Sequence, residues 1–175
     1  MNTNIKYTHV NSHEFKPVID KTSKILILGS FPSVISREQN FYYMHKQNRF
    51  WKVLELIFND NFTSPNIEEK KDLLIKHRIA LYDVIESCDI IGSKDSSINN
   101  VKPVNIINLI KGTNIRKIYI NGNKAYQLFM KYNQNLTDIV YKLPSTSSAN
   151  ARYSLKMLLE RWKVIQNCSN KLKKK

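Results

Sequence analysis

The sequence Lys24-Ile-Leu-Ile-Leu28 continues without a break into Gly29-Ser-Phe-Pro-Ser33. Apolar side chains on both faces of a short run are typical of a parallel strand that is covered on both sides. The glycine and the proline that follow indicate a tight loop rather than a continuation of the strand. These residues therefore predict the first strand of a buried parallel sheet, with a loop at its carboxyl end.

Beyond this run, short β-rich segments alternate with segments in which apolar residues recur at helical spacing. The β-rich segments are 79–82, 117–120 and 139–141, and the helical ones are 50–58, 67–77, 104–111, 124–131 and 153–165. This alternation predicts an α/β fold, a three-layer sandwich with a central, mostly parallel four-stranded sheet flanked by helices. Ligands of such sheets bind beyond the carboxyl ends of the strands, so the loops at that edge are the expected site.

The length and composition fit one folded domain. The chain has 175 residues, of which 42% are hydrophobic, enough to bury a core. We expect a single domain over residues 1–170 and a basic, disordered tail over 171–175. Cys88 and Cys168 form no CxxC pair and cannot hold an iron–sulfur cluster, so we expect no metal and no cofactor. The polar start and the lack of a long apolar run predict a soluble, cytoplasmic protein without membrane contact.

The charge of the chain is strongly positive. It carries 28 Lys and Arg against 14 Asp and Glu, a formal net charge of +14. A basic surface favours binding to a polyanion through counterion release, so nucleic acid is the expected partner. A lysine-rich composition without any specific meaning is the alternative that charge alone leaves open.

Several motifs fall in the loops at the expected site. They are Gly29-Ser-Phe-Pro-Ser33, Asn48-Arg-Phe-Trp51, Gly92-Ser-Lys-Asp-Ser-Ser97 and Leu143-Pro-Ser-Thr-Ser-Ser-Ala-Asn150. Together they resemble the uracil-DNA glycosylase superfamily over about residues 13 to 165, most closely its hypoxanthine-DNA glycosylase branch. The resemblance implies a monomeric DNA repair enzyme that flips a deaminated base, preferably hypoxanthine, out of DNA. It also implies hydrolysis of the N-glycosidic bond by water, leaving an abasic site without strand cleavage.

The chain departs from the superfamily pattern at two catalytic places. Most branches have Asp or Asn two places after the motif glycine to position the attacking water, whereas this chain has Phe31, and it has Ser145 where His or Asn is usual. Asn48 is the candidate replacement, because an amide oxygen can orient water toward an oxocarbenium-like sugar. The alternative interpretation is that Asn48 only caps the helix that begins nearby.

Four residues are predicted to form the base pocket. Phe31 belongs to the first loop, and Tyr43 has the place of an aromatic residue that stacks on the flipped base in the mismatch-specific branch. Asn121 offers a donor and an acceptor, which match the adjacent C=O and N–H of hypoxanthine or uracil. Asp83 has the place where the uracil-specific branch reads its base with Asn, and as a carboxylate it would accept the N1–H of hypoxanthine.

The remaining candidates are predicted to bind the DNA backbone. Hydroxyl and backbone N–H groups of the loop after the last strand suit the phosphates that flank a flipped nucleotide, and arginines suit phosphates further out. These residues are Ser33, Arg37, Arg49, Ser145, Thr146, Ser147, Ser148 and Arg152. Three other functions stay open: a uracil or mismatch-specific glycosylase, a catalytically silent DNA-binding member of the same fold, and a nucleoside hydrolase, which would not need the positive charge.

Overall fold

The computed structural model describes residues 7–10 and 15–169, so the predicted tail at 171–175 lies outside the described residues. The strands and helices follow in chain order, joined by short 3-10 turns at Asp95–Ser97, Gln134–Ile139 and Lys163–Ile165. They are β1 (Thr8–Val10), β2 (Ile25–Gly29), α1 (Val34–Glu38), α2 (Phe50–Phe58), α3 (Ile67–Lys76), β3 (Ile79–Asp83), β4 (Ile85–Ile90), β5 (Asn99–Pro103), α4 (Ile106–Ile110), β6 (Lys117–Asn121), α5 (Asn123–Tyr132), β7 (Val140–Leu143), α6 (Leu155–Trp162) and α7 (Gln166–Ser169).

The central sheet has four strands in the order β3-β2-β6-β7, and all its neighbours pair in parallel. This confirms the predicted α/β sandwich with a four-stranded parallel sheet. The register places Gly29 opposite Asp83 and Asn121 opposite Leu143. Because these residues end their strands, the loops that follow all start from one edge of the sheet.

Helices cover both faces of the sheet, as the apolar run of β2 predicted. Ile25 and Ile27 pack on one side with α2, α3 and α6, in a core that includes Trp51 and Trp162. Leu26 and Leu28 pack on the other side with α4 and α5. All four β2 side chains are fully buried, and each such side chain stabilises the fold by roughly 1.5–3 kcal/mol relative to an exposed one.

A second, antiparallel sheet in the order β1-β4-β5 is absent from the sequence-based prediction. Strand β4 is irregular, with register shifts on both sides of Ser87, and β5 contains two asparagines and ends in a proline. These features hide the regular alternation by which an antiparallel strand is recognised. The sheet matters for the site, because the segment between β4 and β5 brings Asp95 to the edge where the central strands end.

Helix α1 is also new, and it begins directly after the first predicted loop. The hydroxyl of Ser33 caps it by accepting the N–H of Ser36 at 3.2 Å. Among the residues that the structure describes, no helix is both long and apolar enough to span a bilayer.

Candidate active site

A cavity of about 550 Å³ opens at the carboxyl ends of the central strands. Its size is within the range of sites that enclose a small organic group such as a base. The structure brings these lining residues together from several loops, and ten of the eleven named next are predicted site residues. The lining includes Phe31, Ser33, Tyr43, Asn48, Asp83, Asp95, Asn121, Ser145, Thr146, Ser147 and Ser148. Arg37, Arg49 and Arg152 stand outside the lining.

Asp83 forms part of the buried wall of the cavity. Its exposed fraction is 3%, and it ends β3 directly beside Gly29 of β2. A Cβ atom on Gly29 would lie 2.4 Å from Asp83 Oδ1 and 2.9 Å from the Tyr43 hydroxyl, so only glycine permits this close approach. Burial raises the pKa of Asp83 to about 7, the neighbouring Asp95 carboxylate adds to the rise, and the backbone N–H of Gly29 opposes it.

Tyr43 packs differently from its predicted role as a free stacking platform. Its ring stacks on Phe50 with a centroid distance of 4.1 Å, so one of its faces is already covered. Its backbone has a φ of 56°, in the left-handed region. Burial raises the pKa of the hydroxyl well above its ordinary value, so the phenol stays neutral. Phe31 is 8% exposed, lines the cavity, and carries the Arg37 guanidinium 5.7 Å from its ring centroid.

Asn48 contacts the start of α2, although the N-cap residue of that helix is Arg49, whose side chain makes no capping hydrogen bond. Its Oδ1 accepts the N–H of Phe50, the first residue of α2, at 3.0 Å and the hydroxyl of Thr146 at 2.9 Å. Because a backbone N–H can only donate, the atom that faces it is the amide oxygen. Oδ1 thus accepts two hydrogen bonds from the protein, and the role of Asn48 in orienting water stays a prediction. The described residues give its Nδ2 group no hydrogen bond, and Asn48 lines the cavity.

Asn121 and Thr146 bind each other through two hydrogen bonds. Asn121 Oδ1 accepts the N–H of Thr146 at 3.0 Å, and its Nδ2 donates to the Thr146 hydroxyl at 3.0 Å. The amide oxygen and one N–H of Asn121 are therefore bonded within the protein. Fewer hydrogen-bonding groups of Asn121 remain for a base than predicted. Thr146 is completely buried and its hydroxyl is bonded to Asn121 and Asn48. Its contact with a phosphate stays a prediction. The pair fastens the loop after β7 to the end of β6.

The side chain of Arg49 forms hydrogen bonds with the same loop. Its Nε donates to the carbonyl of Thr146 at 3.2 Å, its Nη2 donates to the carbonyls of Ser147 at 2.6 Å and Asn150 at 3.1 Å, and its Nη1 donates to that of Tyr153. A guanidinium carries five N–H donors in a fixed plane, which suits such a set of carbonyls. These contacts argue against the predicted phosphate contact and make Arg49 a residue that shapes the loop.

The other residues predicted to contact the DNA backbone fall into two groups. Some form hydrogen bonds within the protein, and others are exposed. The hydroxyl of Ser33 caps α1, and Arg37 donates to the carbonyl of Pro32 at 2.8 Å. The Ser145 hydroxyl accepts the N–H of Ser147 at 3.2 Å. Ser148 lines the cavity, and both Ser148 and Arg152 are exposed, so they have the accessibility that a phosphate contact requires.

Asp95 is a cavity residue that was not predicted from the sequence to lie at the site. Its carboxylate accepts the hydroxyl of Ser30 at 3.0 Å, and it lies on the cavity wall with His45 and Lys94. The signal that could have found it is the Gly92-Ser-Lys-Asp-Ser-Ser97 motif, which the resemblance already included. A carboxylate at this point makes the cavity interior acidic within a basic protein.

Comparisons with known proteins give consistent matches over nearly the whole chain. The sequence model of the Uracil DNA glycosylase superfamily matches residues 16–168. A protein of Methanosarcina barkeri (strain Fusaro / DSM 804) named hypoxanthine DNA glycosylase is 33% identical over 152 residues, which cover 85% of this chain and 93% of that protein. A protein of the same name from Methanosarcina acetivorans is 34% identical over 145 residues, which cover 80% of this chain and 89% of that protein.

A solved structure has the same fold. It is the solution NMR structure of a protein from Methanosarcina acetivorans that is provisionally named a uracil DNA glycosylase. It superposes with a TM-score of 0.78 and 30% sequence identity, and the match covers 93% of this chain and 100% of that chain.

Proposed function

This chain belongs to the uracil DNA glycosylase superfamily, and from that premise we propose that it is a DNA repair glycosylase that removes deaminated bases, hypoxanthine in preference to uracil. Two relatives at 33% and 34% identity are named hypoxanthine DNA glycosylase, which supports the choice of base. The observation that carries the proposal is the cavity itself. Phe31, which replaces the water-positioning residue of most branches, lines the cavity, and so does the carboxyl group of Asp83, which is buried in its wall.

The proposed reaction begins when the damaged nucleotide leaves the duplex and its base enters the cavity. The bond between C1′ of the sugar and the base nitrogen breaks with its electron pair going to the base, which leaves an oxocarbenium-like sugar. Water then bonds to C1′, and its proton passes to solvent or to the departing base. Such a sugar is a strong electrophile, so the protein has to place the water more than deprotonate it.

Asn48 is the proposed residue that places this water, through a different atom from the one first expected. Its Oδ1 is held by Phe50 and Thr146, so Nδ2 is the group that remains for the substrate side. An N–H of Nδ2 donates to one lone pair of the water, and the other lone pair attacks C1′. The hydrogen bonds to Oδ1 fix the plane of the amide, so the donor is oriented before the substrate arrives.

The proposed enzyme is monofunctional, with water as its nucleophile. Lys94 is exposed on the cavity wall and is the lysine that an imine-forming mechanism would use. We expect no covalent complex when the reaction is quenched with borohydride, and we expect Lys94→Ala to retain excision. A trapped complex that disappears in Lys94→Ala would overturn this part of the proposal.

The test of base choice uses duplexes that contain a single deoxyinosine, deoxyuridine or deoxyxanthosine. Each duplex is incubated with excess protein, and abasic sites are then cleaved with alkali. We expect deoxyinosine to be processed fastest, and an undamaged duplex serves as the control. Faster release of uracil would favour a uracil or mismatch-specific enzyme, and binding without any abasic product would favour a catalytically silent DNA-binding protein.

A further inference from the structure

The carboxyl group of Asp83 occupies a position that favours its neutral form. It is 3% exposed, it lines the cavity, and its Oδ1 lies so close to Gly29 that no side chain fits there. A buried carboxylate is costly unless a positive charge or several donors compensate it. The ionisation of Asp83 therefore depends on whether the groups around it supply positive charge or hydrogen-bond donors.

The titratable groups that face Asp83 are phenols and a second acid. Tyr42 and Tyr43 come from the segment between α1 and α2, Tyr82 precedes it on β3, and Asp95 comes from the turn between β4 and β5. His45 and Lys94 line the same cavity. Phenols bring no positive charge, and Asp95 brings a like charge that disfavours ionisation. The N–H of Gly29 donates to the carboxyl, which compensates one oxygen.

We propose that Asp83 works as a neutral carboxylic acid that reads the lactam edge of the flipped base, donating its O–H to the exocyclic carbonyl oxygen and accepting the ring N–H on its other oxygen. The inference rests on the proposed function and adds the protonation state and the hydrogen-bond pattern of one residue. It revises the expectation of a carboxylate that only accepts.

The chemistry of the lactam edge explains why the proton matters. Hypoxanthine presents C6=O beside N1–H, and uracil presents C4=O beside N3–H, so each edge needs one donor and one acceptor. A carboxylate has only acceptors and would place negative charge against the carbonyl oxygen. A neutral carboxyl group has one donor and one acceptor in the same plane, at the spacing that forms two parallel hydrogen bonds.

The backbone of Gly29 selects which carboxyl oxygen holds the proton. The oxygen that accepts the Gly29 N–H is favoured as the carbonyl oxygen, so the proton resides on the other one. A fixed proton position distinguishes the lactam edge from the amino edge of adenine, in which donor and acceptor are exchanged. Asp83 is thus a specificity-determining residue that contacts the base.

The same contact assists bond breakage without transferring a proton. Negative charge spreads to the exocyclic oxygen as the base departs with the electron pair of the glycosidic bond. The hydrogen bond from Asp83 O–H becomes stronger as that charge develops, so it stabilises the transition state more than the bound substrate. Asp83 keeps its proton throughout, and the atoms and electrons balance as in hydrolysis by water alone.

The acid–base behaviour of Asp83 agrees with this geometry. Burial first, and Asp95 second, raise its pKa to about 7, so that a large share of molecules hold the proton near neutral pH. Binding of a lactam oxygen raises that share further, because it adds an acceptor for the O–H. Activity should then decline as the pH rises above about 7.

The test is the pH profile of single-turnover excision from a deoxyinosine duplex, between about pH 5.5 and pH 8.5, a range in which most of the base keeps its own N1 proton. For the unmodified protein we expect a plateau at low pH and a fall of about thirtyfold at pH 8.5. For Asp83→Asn we expect excision without this fall, because the amide offers the same acceptor and an N–H donor that does not titrate. Near pH 8.5 the variant should equal or exceed the unmodified protein.

One further variant and two contrary outcomes keep the test decisive. Asp95→Asn removes a like charge beside Asp83, which lowers the pKa of Asp83, so the decline in activity should move to lower pH. An unchanged decline, or one moved to higher pH, would contradict the charge arrangement described above. A rate that rises with pH through about 7, with Asp83→Asn inactive but folded, would overturn the inference. If no duplex yields abasic sites at any pH, the proposed function itself fails, whereas excision with a flat profile refutes only the role of Asp83.

Discussion

The amide oxygen of Asn48 accepts the hydroxyl hydrogen of Thr146 at 2.9 Å, although the two residues are 98 positions apart in the chain. Thr146 is bonded in turn to Asn121, so the start of α2, the end of β6 and the loop after β7 are joined by side-chain hydrogen bonds. Arg49 strengthens the same junction from the neighbouring position. The cavity wall is therefore held in shape before any substrate binds, as a preorganised site requires.

Thr146→Val should test how much this junction contributes. Valine has nearly the same volume but no hydroxyl, so Asn48 loses a donor and Asn121 loses an acceptor inside a buried region. Each buried polar group left without a partner costs roughly 1–3 kcal/mol. We expect a lower free energy of unfolding in urea and a slower single-turnover excision. Thr146→Ser keeps the hydroxyl and should retain the rate, so equal behaviour of the two variants would contradict the role of the hydrogen bonds.

Arg49→Lys should separate loop shaping from DNA binding. Lysine keeps the positive charge but has one ammonium group in place of a planar fork, so it cannot serve the four carbonyls that Arg49 binds. We expect loss of stability by about 2 kcal/mol or more, together with faster amide hydrogen exchange in residues 147–153.

Arg152→Ala is the matched control for that experiment, because Arg152 is exposed near the same loop. It should leave the unfolding free energy unchanged and weaken DNA binding. If Arg152 contacts a phosphate, the slope of log K against log[salt] should become shallower by about 0.9. A stability loss in Arg152→Ala with none in Arg49→Lys would reverse the two assignments.

The fold was predictable from the sequence where one physical signal dominated. The β2 run has no polar face, so its burial in a parallel sheet followed directly, and the helices at 50–58 and 124–131 followed from their apolar spacing. The antiparallel sheet was missed because β4 and β5 are stabilised by pairing with each other across a bulged register. Pairing between distant segments is not visible in the local pattern of either one.

The sequence was enough to predict which residues come together at the site. It was not enough to predict which of their atoms form hydrogen bonds with each other. Strand ends at one sheet edge place Asp83 and Asn121 together whatever their partners are. The sequence could not show that Asn121 binds Thr146 or that Arg49 turns toward carbonyls, since both depend on the path of the loop after β7. Asp95 was given no role because the pairing of β4 with β5, which positions it, was not predicted either.

The stability of the protein should depend on the ionisation of Asp83. Its pKa in the folded state, about 7, is above the ordinary value of 3.8, so the folded state holds the proton over a range in which the unfolded state has lost it. Stability from this group is therefore complete below about pH 4 and is lost as the pH rises through about 7. At 1.36 kcal/mol per pKa unit the difference is about 4 kcal/mol at most.

Asp83→Asn removes this dependence, because its amide does not titrate. We expect the difference in unfolding free energy between the variant and the unmodified protein to move in favour of the variant from about pH 4 to about pH 8, as measured by urea denaturation. Other groups with shifted pKa values, such as Asp60, contribute equally to both proteins and cancel in the comparison. A difference that is constant with pH would show that Asp83 titrates normally in the folded state.

Substitutions of Asn48 distinguish its structural contact from its proposed catalytic one. Asn48→Ala removes the acceptor for the Phe50 N–H and the Thr146 hydroxyl, so it should lower the unfolding free energy by roughly 0.5–2 kcal/mol. If Nδ2 also places the attacking water, the single-turnover rate of the folded protein should fall by about 10²-fold or more. DNA affinity should change little, because the phosphates are held by other residues.

Asn48→Asp is the sharper comparison, since it keeps an oxygen at the Oδ1 position and replaces the N–H donor with a second oxygen. It should restore the thermal midpoint that alanine lowers, because the Phe50 N–H and the Thr146 hydroxyl regain their acceptor. Its negative charge lies near a cationic sugar in the transition state, so it should retain more activity than alanine while remaining below asparagine. A lowered midpoint with a normal rate in Asn48→Ala would refute the catalytic role. An unchanged midpoint with a collapsed rate would instead show that the hydrogen bonds to Oδ1 add nothing to stability, and that Asn48 acts on the substrate alone.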